Sequence, residues 1–464
     1  MNCVLFLEIN YITMTKILII GNSPLPNDNS KTRPAAGLRT FQFLEAIKRS
    51  AKSANFSFHF VSIDMENDSQ NISENHTVIR KDDSSLLSKL QKIHDNYGPS
   101  VILAVNTFPS HIACKLKTNA PIWADLNGWI MSEAQAQSFK QGDNSYLSHY
   151  FKIEESVIKR ADKISTVSIP QKYAVLGELA FLGRLNNETF SYNFLHHIPN
   201  GTEWFLDEKE QYKRDSLSFQ KIPKDGFKIL WMGGYNTWVD EKTLFKGVED
   251  AMRKNSDVYY ISTGGKIAGL DDKTFQRFID LVDASEFKDR FLFLGWVKTE
   301  EIPSIYRGCD LGLNVDRMCT ETLTGARNRI NEMMKFSLPV VSTIGSEISY
   351  ELVRVKAGIG VKSWDSGDLS DKILEAYDMW KNDKNSFDQM GVNGANYISS
   401  DCNYKKLCAE FIDWVSSPSV KRAPDFETKV SLSKSGLNFS AIFRYFRENG
   451  LKKFLKKALQ KIKS

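Results

Sequence analysis

Short, continuous runs of apolar residues alternate with longer amphipathic stretches along most of the chain. Two of these runs begin almost identically, with KILIIGN at residues 16–22 and KILWMGG at residues 228–234, and each ends in a glycine turn. This pattern is typical of the first strand of a doubly wound α/β domain. The sequence therefore predicts that such a domain begins twice.

Further apolar runs predict the remaining strands of two parallel sheets. After the first start they lie at residues 56–63, 101–106, 122–126, 163–167 and 194–198. After the second start they lie at residues 258–263, 291–295, 311–315, 338–342 and 359–362. We predict an α/β fold with two Rossmann-like doubly wound domains that face a cleft, formed by residues 1–206 and 227–415. The polar segment 207–226 lacks periodicity and is the predicted linker.

The C-terminal segment has a different pattern. Residues 416–436 are predicted to be a flexible linker, because they have little to bury. In residues 437–464 apolar side chains recur at helical spacing and basic side chains fill the other face. This basic amphipathic helix could contact a membrane surface or nucleic acid, or dock on the body. Leucine and phenylalanine opposite lysine favour an anionic membrane over nucleic acid, which would need fewer apolar residues.

The bulk composition is that of a soluble globular protein of 464 residues with a net charge of +5. No apolar run is long enough to span a bilayer, and the start lacks the basic segment and cleavage site of a secretion signal. We therefore expect a cytoplasmic protein, peripheral on the inner face of the cell membrane. The six cysteines are scattered, which indicates reduced thiols. Met14 stands directly before the first predicted strand, so residues 1–13 are expected to be either an over-called start or a short extra strand.

Charged residues cluster between two apolar runs of the second half, at residues 309–343. Glu321, Arg327 and Arg329 follow one predicted strand, and Glu332 follows on a short helix before the next. Open α/β sheets bind ligands at the carboxyl ends of their strands, and arginines beside a glutamate suit a phosphate next to a hydroxylated ring. The alternative is that Arg329 and Glu332, three residues apart, pair with each other on the helix surface.

Two glycine pairs occur at neighbouring strand ends of the same half. Gly233-Gly234 follows its first strand, and Gly264-Gly265 follows its second. Without side chains, a backbone can approach a diphosphate closely, and the N–H groups of the next helix can meet its charge. Neither turn completes GxGxxG, which disfavours a dehydrogenase.

The motifs in residues 228–362 resemble the donor domain of GT-B glycosyltransferases, closest to the family 4-like group. They are WMGGYNTWVDEKTL, STGG, FLGWV, YRGCDLGLNV and ETLTGARNRINEMMKFSLPVVST. The first half adds GNSPLP, AAGLRT, ADKISTVSIPQKY, GELAFLGRLN and IPNGTE, so that the resemblance covers about residues 14–415. It implies transfer of a sugar from a nucleoside-diphosphate sugar to a hydroxyl of a glycan or lipid-linked acceptor, in surface polysaccharide or glycoconjugate synthesis. The donor is a co-substrate, and no further cofactor is expected.

The resemblance also implies roles for individual residues. Glu332 would hold the ribose hydroxyls, and Arg327, Arg329 and the Gly233-Gly234 turn would bind the diphosphate. Glu321, or the backbone near Thr324 and Gly325, would face the sugar. The family often has two glutamates with seven residues between them, whereas Glu321 and Glu332 have ten between them and Thr324 stands at the usual first position.

In the first half, Arg39 and Asp125 are the candidate catalytic residues besides Glu321. Arg39 lies at a predicted helix start, where it either points into the cleft or is a solvated arginine. Asp125, with Glu133 nearby, lies at a strand end in WADLNGW, where a carboxylate can bind hydroxyls, act as a base or cap a turn. The resemblance favours function for both.

No DxD motif occurs where a predicted strand leads into a loop, so the sequence offers no paired carboxylates for a metal ion there. We therefore predict no metal site and a metal-independent reaction. Isolated histidines near strands, such as His111, His196 and His197, are expected to be structural. Two other functions stay open. One is a sugar-nucleotide epimerase of the same fold, and the other is a non-catalytic GT-B protein that binds nucleotide or glycan and supports a partner enzyme.

Overall fold

The computed structural model describes residues 14–26, 34–65, 67–202, 219, 222–267 and 271–422, with only the backbone of residues 52–54. The predictions for residues 1–13, for most of the linker 207–226, for residues 423–436 and for the tail 437–464 lie outside the described residues. No helix of the described ranges is long and apolar enough to cross a bilayer.

The first domain contains an eight-stranded sheet in the order β3-β4-β2-β1-β5-β6-β7-β8. Its strands are β1 (Thr15–Asn22), β2 (Phe56–Asp64), β3 (Gln70–Ser73), β4 (His76–Arg80), β5 (Val101–Val105), β6 (Ile122–Leu126), β7 (Lys163–Thr166) and β8 (Leu195–His197). All neighbours are parallel except β3 and β4. Its helices are α1 (Ala35–Ala54), α2 (Leu86–Tyr97), α3 (Thr107–Ala113), α4 (Ile130–Gln141), α5 (Ser145–Arg160) and α6 (Ile169–Phe181).

The second domain contains a six-stranded parallel sheet in the doubly wound order β11-β10-β9-β12-β13-β14. Its strands are β9 (Phe227–Trp231), β10 (Val258–Thr263), β11 (Phe291–Gly295), β12 (Leu311–Asn314), β13 (Val340–Thr343) and β14 (Gly358–Val361). Its helices are α7 (Glu241–Lys254), α8 (Lys273–Asp283), α9 (Ile302–Gly308), α10 (Thr320–Thr324), α11 (Asn328–Lys335), α12 (Glu347–Arg354), α13 (Ser366–Asn382) and α14 (Lys384–Asp401), with short 3-10 turns at Lys288–Arg290 and Thr299–Glu301.

The predicted fold of two doubly wound α/β domains is confirmed. Every predicted strand is present within about two residues of its predicted bounds, because most of these strands are buried on both faces and read as continuous apolar runs. The prediction missed β3 and β4 at the edge of the first sheet. All four residues of β3 are exposed, so this strand carries no apolar signal.

The chain returns to the first domain at its C-terminal end through the short helices α15 (Tyr404–Leu407) and α16 (Ala409–Ser416). The rings of Phe411 and Trp414 pack against Trp123 in β6, with centroids 5.1 and 5.4 Å away. His196 Nδ1 lies 2.7 Å from Glu410 Oε2. The end of the predicted second domain, residues 227–415, therefore contributes to the core of the first.

Candidate active site

The two domains touch where α10 and α11 meet α4 and the segments that follow β7 and β8. The Thr324 hydroxyl donates to Ser132 Oγ at 3.2 Å, and the Ser168 hydroxyl donates to the Thr324 carbonyl at 2.6 Å. Asn200 Nδ2 donates to Asn328 Oδ1 at 2.9 Å. Cavities between the domains border these contacts, since Ser132 lines one cavity and Asn328 lines another.

One of these cavities, which we call the donor pocket, has a volume of about 270 Å³. Second-domain residues from three neighbouring strand ends and from two helices, α9 and α11, form most of it, and the first turn of α1 closes the other side. Five residues that the sequence predicted for the donor lie together here: Gly233, Gly234, Gly264, Arg329 and Glu332. The first domain contributes Ala35 and Leu38.

The two glycine turns touch each other at the floor of the donor pocket. Gly264 has φ 73°, and a Cβ atom there would lie 2.4 Å from the Gly233 carbonyl carbon. Gly233 has φ 93°, and a Cβ atom there would meet nothing within 4 Å. Both positions therefore require glycine. Gly264 requires it because the backbone of Gly233 approaches so closely, and Gly233 requires it because its backbone is left-handed. The Gly233 position also faces open space. Gly265 lies behind the turn, where its carbonyl accepts the Tyr235 N–H at 3.0 Å.

Arg329 holds the first glycine turn in place. Its Nε donates to the Met232 carbonyl at 2.6 Å, and its Nη2 donates to the Gly234 carbonyl at 3.0 Å. Its guanidinium lies 3.7 Å from the centroid of the Trp231 ring, and burial lowers the pKa of Arg329. The alternative of a surface pair between Arg329 and Glu332 is wrong, because the guanidinium turns to these carbonyls instead.

The Glu332 carboxylate lines the donor pocket and makes no hydrogen bond or ion pair within the described ranges. A partly buried carboxylate without a partner is unusual in a folded protein, because its desolvation is not offset. Its oxygens are free to accept from ligand hydroxyl groups, in agreement with the predicted contact to a ribose.

Arg327 is not in the donor pocket. Its side chain is 5% exposed, with Nε 2.6 Å from Asp316 Oδ2 and Nη2 2.7 Å from Glu321 Oε2. Burial raises the pKa of Glu321, and the charge of Arg327 acts in the opposite direction. The predicted diphosphate contact of Arg327 is wrong, since both neighbouring carboxylates already use its charge. Glu321 borders a second cavity rather than the donor pocket.

Arg39 and Asp125 lie in the core and not in the cleft. They are 1% and 0% exposed, and they form a bidentate pair with Nη2 to Oδ1 at 2.6 Å and Nε to Oδ2 at 2.9 Å. Arg39 Nη2 also donates to the Ile198 carbonyl at 2.7 Å, and the Ser165 hydroxyl donates to Asp125 at 2.6 Å. The structure does not place them as the prediction requires, because neither side chain is exposed to the cleft. The pair instead fixes residues 198–200, which lead to the contact between the domains.

Glu133 lies in the first turn of α4, where the charge of Glu321 from the second domain acts on it. Its side chain is partly exposed and makes no hydrogen bond within the part of the chain that the structure describes. Burial, followed by the charge of Glu321, raises the pKa of Glu133 to about 8. Its environment therefore favours the protonated form of this carboxyl group.

Sequence reasoning missed the outer wall of the donor pocket, which is formed by Trp296, Val297 and Thr299 after β11. The indole of Trp296 is 51% exposed. The available signal was a tryptophan directly after Gly295, the last residue of β11. Tryptophan rings are usually mostly buried, so one at a strand end next to a cleft suggests contact with a ligand.

The histidines are engaged in structural contacts. His197 Nε2 lies 2.9 Å from Glu347 Oε1 of the second domain, and burial lowers the pKa of His111 to about 4. Within the described ranges no group of three or more His, Cys, Asp or Glu side chains could hold a metal ion.

Comparison with known proteins agrees with this geometry. Residues 226–379 match the family model described as "Glycosyl transferases group 1". No curated protein matches the sequence. Sucrose-phosphate synthase from Thermosynechococcus elongatus superposes with a TM-score of 0.62 at 14% identity, over 86% of this chain and 97% of that one.

Two further solved structures are similar over nearly their whole length. The Anabaena protein HepE in complex with UDP-glucose has a TM-score of 0.60 at 16% identity, over 87% of this chain and 99% of that one. WaaG, a glycosyltransferase involved in lipopolysaccharide biosynthesis, has a TM-score of 0.57 at 11% identity, over 87% and 100%. The chain therefore has the GT-B fold, as the sequence predicted, and the family match lies within its second domain.

Proposed function

We propose that this chain is a glycosyltransferase that moves a sugar from a nucleoside-diphosphate sugar to a hydroxyl of a glycan or lipid-linked acceptor, without a metal ion. The observation that carries the proposal is the unpartnered Glu332 carboxylate in one pocket with the Gly233 turn and Arg329. A free carboxylate can accept hydrogen bonds from ribose hydroxyls, and a glycine backbone beside a cation can bind the diphosphate to which the ribose is joined.

The reaction must stabilise the departing diphosphate, and three groups of this chain face it. Gly233 leaves room for a phosphate against the backbone. The guanidinium of Arg329 has more N–H groups than its bonds to Met232, Gly234 and Asn314 use. The first turn of α1 faces the pocket, and among the described residues it contains no acidic residue and has no side-chain cap, so its positive dipole end is directed at the diphosphate. Preorganised dipoles of this kind stabilise charge as it develops.

Ribose and base would occupy the other end of the donor pocket. Glu332 would accept from the ribose hydroxyls, and the exposed Trp296 ring offers a flat surface to the base. The similar HepE structure holds UDP-glucose, so uridine donors are the first to test.

The test is calorimetric titration with UDP-, GDP-, dTDP- and ADP-sugars. We expect one donor to bind, and Glu332→Ala to weaken it about 10-fold to 100-fold, because a hydrogen bond to a charged group contributes about 1.5–3 kcal/mol. Glu74→Ala removes an exposed carboxylate far from the pocket and is the matched control. If no donor binds, the proposal fails.

One observation keeps the non-catalytic alternative in view. The hydroxyl of Thr324, at the position where the family often has a glutamate, bonds to Ser132 across the domains. Donor binding without turnover on any acceptor would favour this alternative, and donor conversion without any acceptor would favour the epimerase.

We also propose that residues 437–464 attach the enzyme to the anionic inner face of the cell membrane, where surface polysaccharide or glycoconjugate synthesis would take place. The support is the opposition of lysine and apolar faces in the sequence. Sedimentation with vesicles of anionic and of neutral lipid tests this, and equal binding to both would contradict the charge argument.

A further inference from the structure

A second and larger cavity lies beside the donor pocket. It has a volume of about 660 Å³, within the range of about 300–1,000 Å³ that small-molecule sites occupy. Helix α4 of the first domain forms one wall, and residues 317–321 of the second domain form the other. The two cavities adjoin at neighbouring residues, since Asn236 lines the donor pocket and Thr237 lines this one.

The charged residues that line this cavity are already engaged. Glu321 is paired with Arg327 at 2.7 Å, and Arg317 donates to Glu241 and to the Val239 carbonyl. Asp143 accepts the Ser145 N–H at 2.8 Å. The walls therefore offer no uncompensated cation to a phosphate group.

Neutral polar groups of the same cavity are free. The side-chain amides of Gln135 and Asn144 make no hydrogen bond within the described ranges. Such groups can both donate and accept, as a hydroxyl-rich ligand requires.

Two aromatic side chains stand at the cavity with their faces in solvent. Phe139 is 72% exposed and Trp364 is 66% exposed. Trp364 also has φ 61°, a left-handed conformation that a bulky residue rarely adopts. Neither burial in the core nor a backbone preference therefore explains why a tryptophan stands at this position. An apolar ring face beside amide groups matches a saccharide, which has an apolar C–H face and hydroxyl edges.

We infer that this cavity binds the acceptor and that the part of the acceptor that enters it is a neutral saccharide rather than a phosphorylated lipid head group. The inference rests on the proposed glycosyltransferase function and names the acceptor class for that same cleft. Gln135 and Asn144 bind its hydroxyls, and Trp364 and Phe139 cover its ring.

The experiment uses the full chain saturated with the nucleoside-diphosphate sugar that binds in the donor titration, or with the matching nucleoside diphosphate when only binding is measured. The probes are neutral trisaccharides of the malto-, cello- and chito- series and, separately, a short prenyl phosphate. Binding is followed by saturation-transfer NMR and by indole fluorescence, and transfer is followed by mass spectrometry.

Variants separate the cavity from the donor pocket. Trp364→Gly removes the ring and relieves the strained backbone, and Gln135→Ala removes an exposed amide. We expect each to weaken saccharide binding about 5-fold to 10-fold, as the loss of one ring contact or hydrogen bond does. Affinity for the donor should not change. Phe190→Ala, at an 82% exposed ring outside the cavity, is the matched control and should change neither.

The outcomes distinguish the two proposals. If wild type binds no donor, the proposed function itself fails. If the donor binds but no trisaccharide does, or if Trp364→Gly and Gln135→Ala leave saccharide binding unchanged, this inference alone is overturned. Transfer to the prenyl phosphate only, or a loss of donor affinity in both variants, overturns it as well.

Discussion

The pair between Arg39 and Asp125 provides a direct test of the distinction between structure and catalysis in this cleft. The sequence assigns both residues to the reaction, whereas the structure buries both in the core of the first domain. Asp125→Ala and Asp125→Asn therefore are expected to lower the free energy of unfolding before they affect chemistry.

The size of the effect follows from the partners that remain. Asp125 accepts three hydrogen bonds, at 2.6 and 2.9 Å from Arg39 and at 2.6 Å from Ser165. Removal of one partner of a buried ion pair costs about 3–5 kcal/mol, because the other charge stays in the core. The carbonyls of Ile198 and Pro199 still accept from Arg39, at 2.7 and 3.1 Å. We therefore expect about 3 kcal/mol for Asp125→Asn, which keeps an acceptor, and up to about 5 kcal/mol for Asp125→Ala.

Urea unfolding followed by tryptophan fluorescence measures this loss. The double variant Arg39→Met/Asp125→Ala should be less unstable than the sum of its single variants, because no buried charge is left alone, with a coupling of about 2–3 kcal/mol. Asp95→Ala, at an exposed carboxylate, is the control and should change stability by less than about 0.5 kcal/mol.

One result would refute the reasoning. If Asp125→Asn unfolds at the wild-type urea concentration and binds donor normally, yet transfers no sugar, then the carboxylate acts in the reaction. The assignment from the sequence would then be right, and the buried pair would have to open during turnover.

Two further predictions concern the backbone and the pH response. Gly264→Ala should abolish donor binding in calorimetry and lower the free energy of unfolding by several times as much as the control Gly98→Ala. Both glycines have a positive φ, but only a Cβ atom at Gly264 would meet backbone atoms. Similar losses in the two variants would contradict this prediction. The pKa of Glu133 is raised from 4.5 to about 8, so the unfolded state releases this proton first and stability should fall as pH rises between these values. Thermal unfolding across this range should show a smaller fall for Glu133→Gln, and identical profiles would contradict the assignment.

The strands were predictable because burial on both faces of a parallel sheet requires continuous apolar sequence, which is a local property. The hairpin of β3 and β4 was not predictable from the sequence, since β3 lies at the exposed edge of the sheet and needs no apolar residues there. The return of α16 to the first domain was also beyond local reasoning. Its apolar face would suit either sheet, and only the fit of Phe411 and Trp414 against Trp123 decides between them.

Local sequence also could not decide which of the predicted site residues would reach the donor pocket. A glycine turn acts through its own backbone, so Gly233 and Gly264 could be assigned from their place after a strand. An arginine acts through whatever its guanidinium reaches. Arg327 and Arg329 are two residues apart, yet one is neutralised by Asp316 and Glu321 while the other holds the Gly234 carbonyl at the donor pocket. Spacing along the chain predicts that a cation is near a strand end, and only the tertiary partners determine whether its charge is left for a ligand.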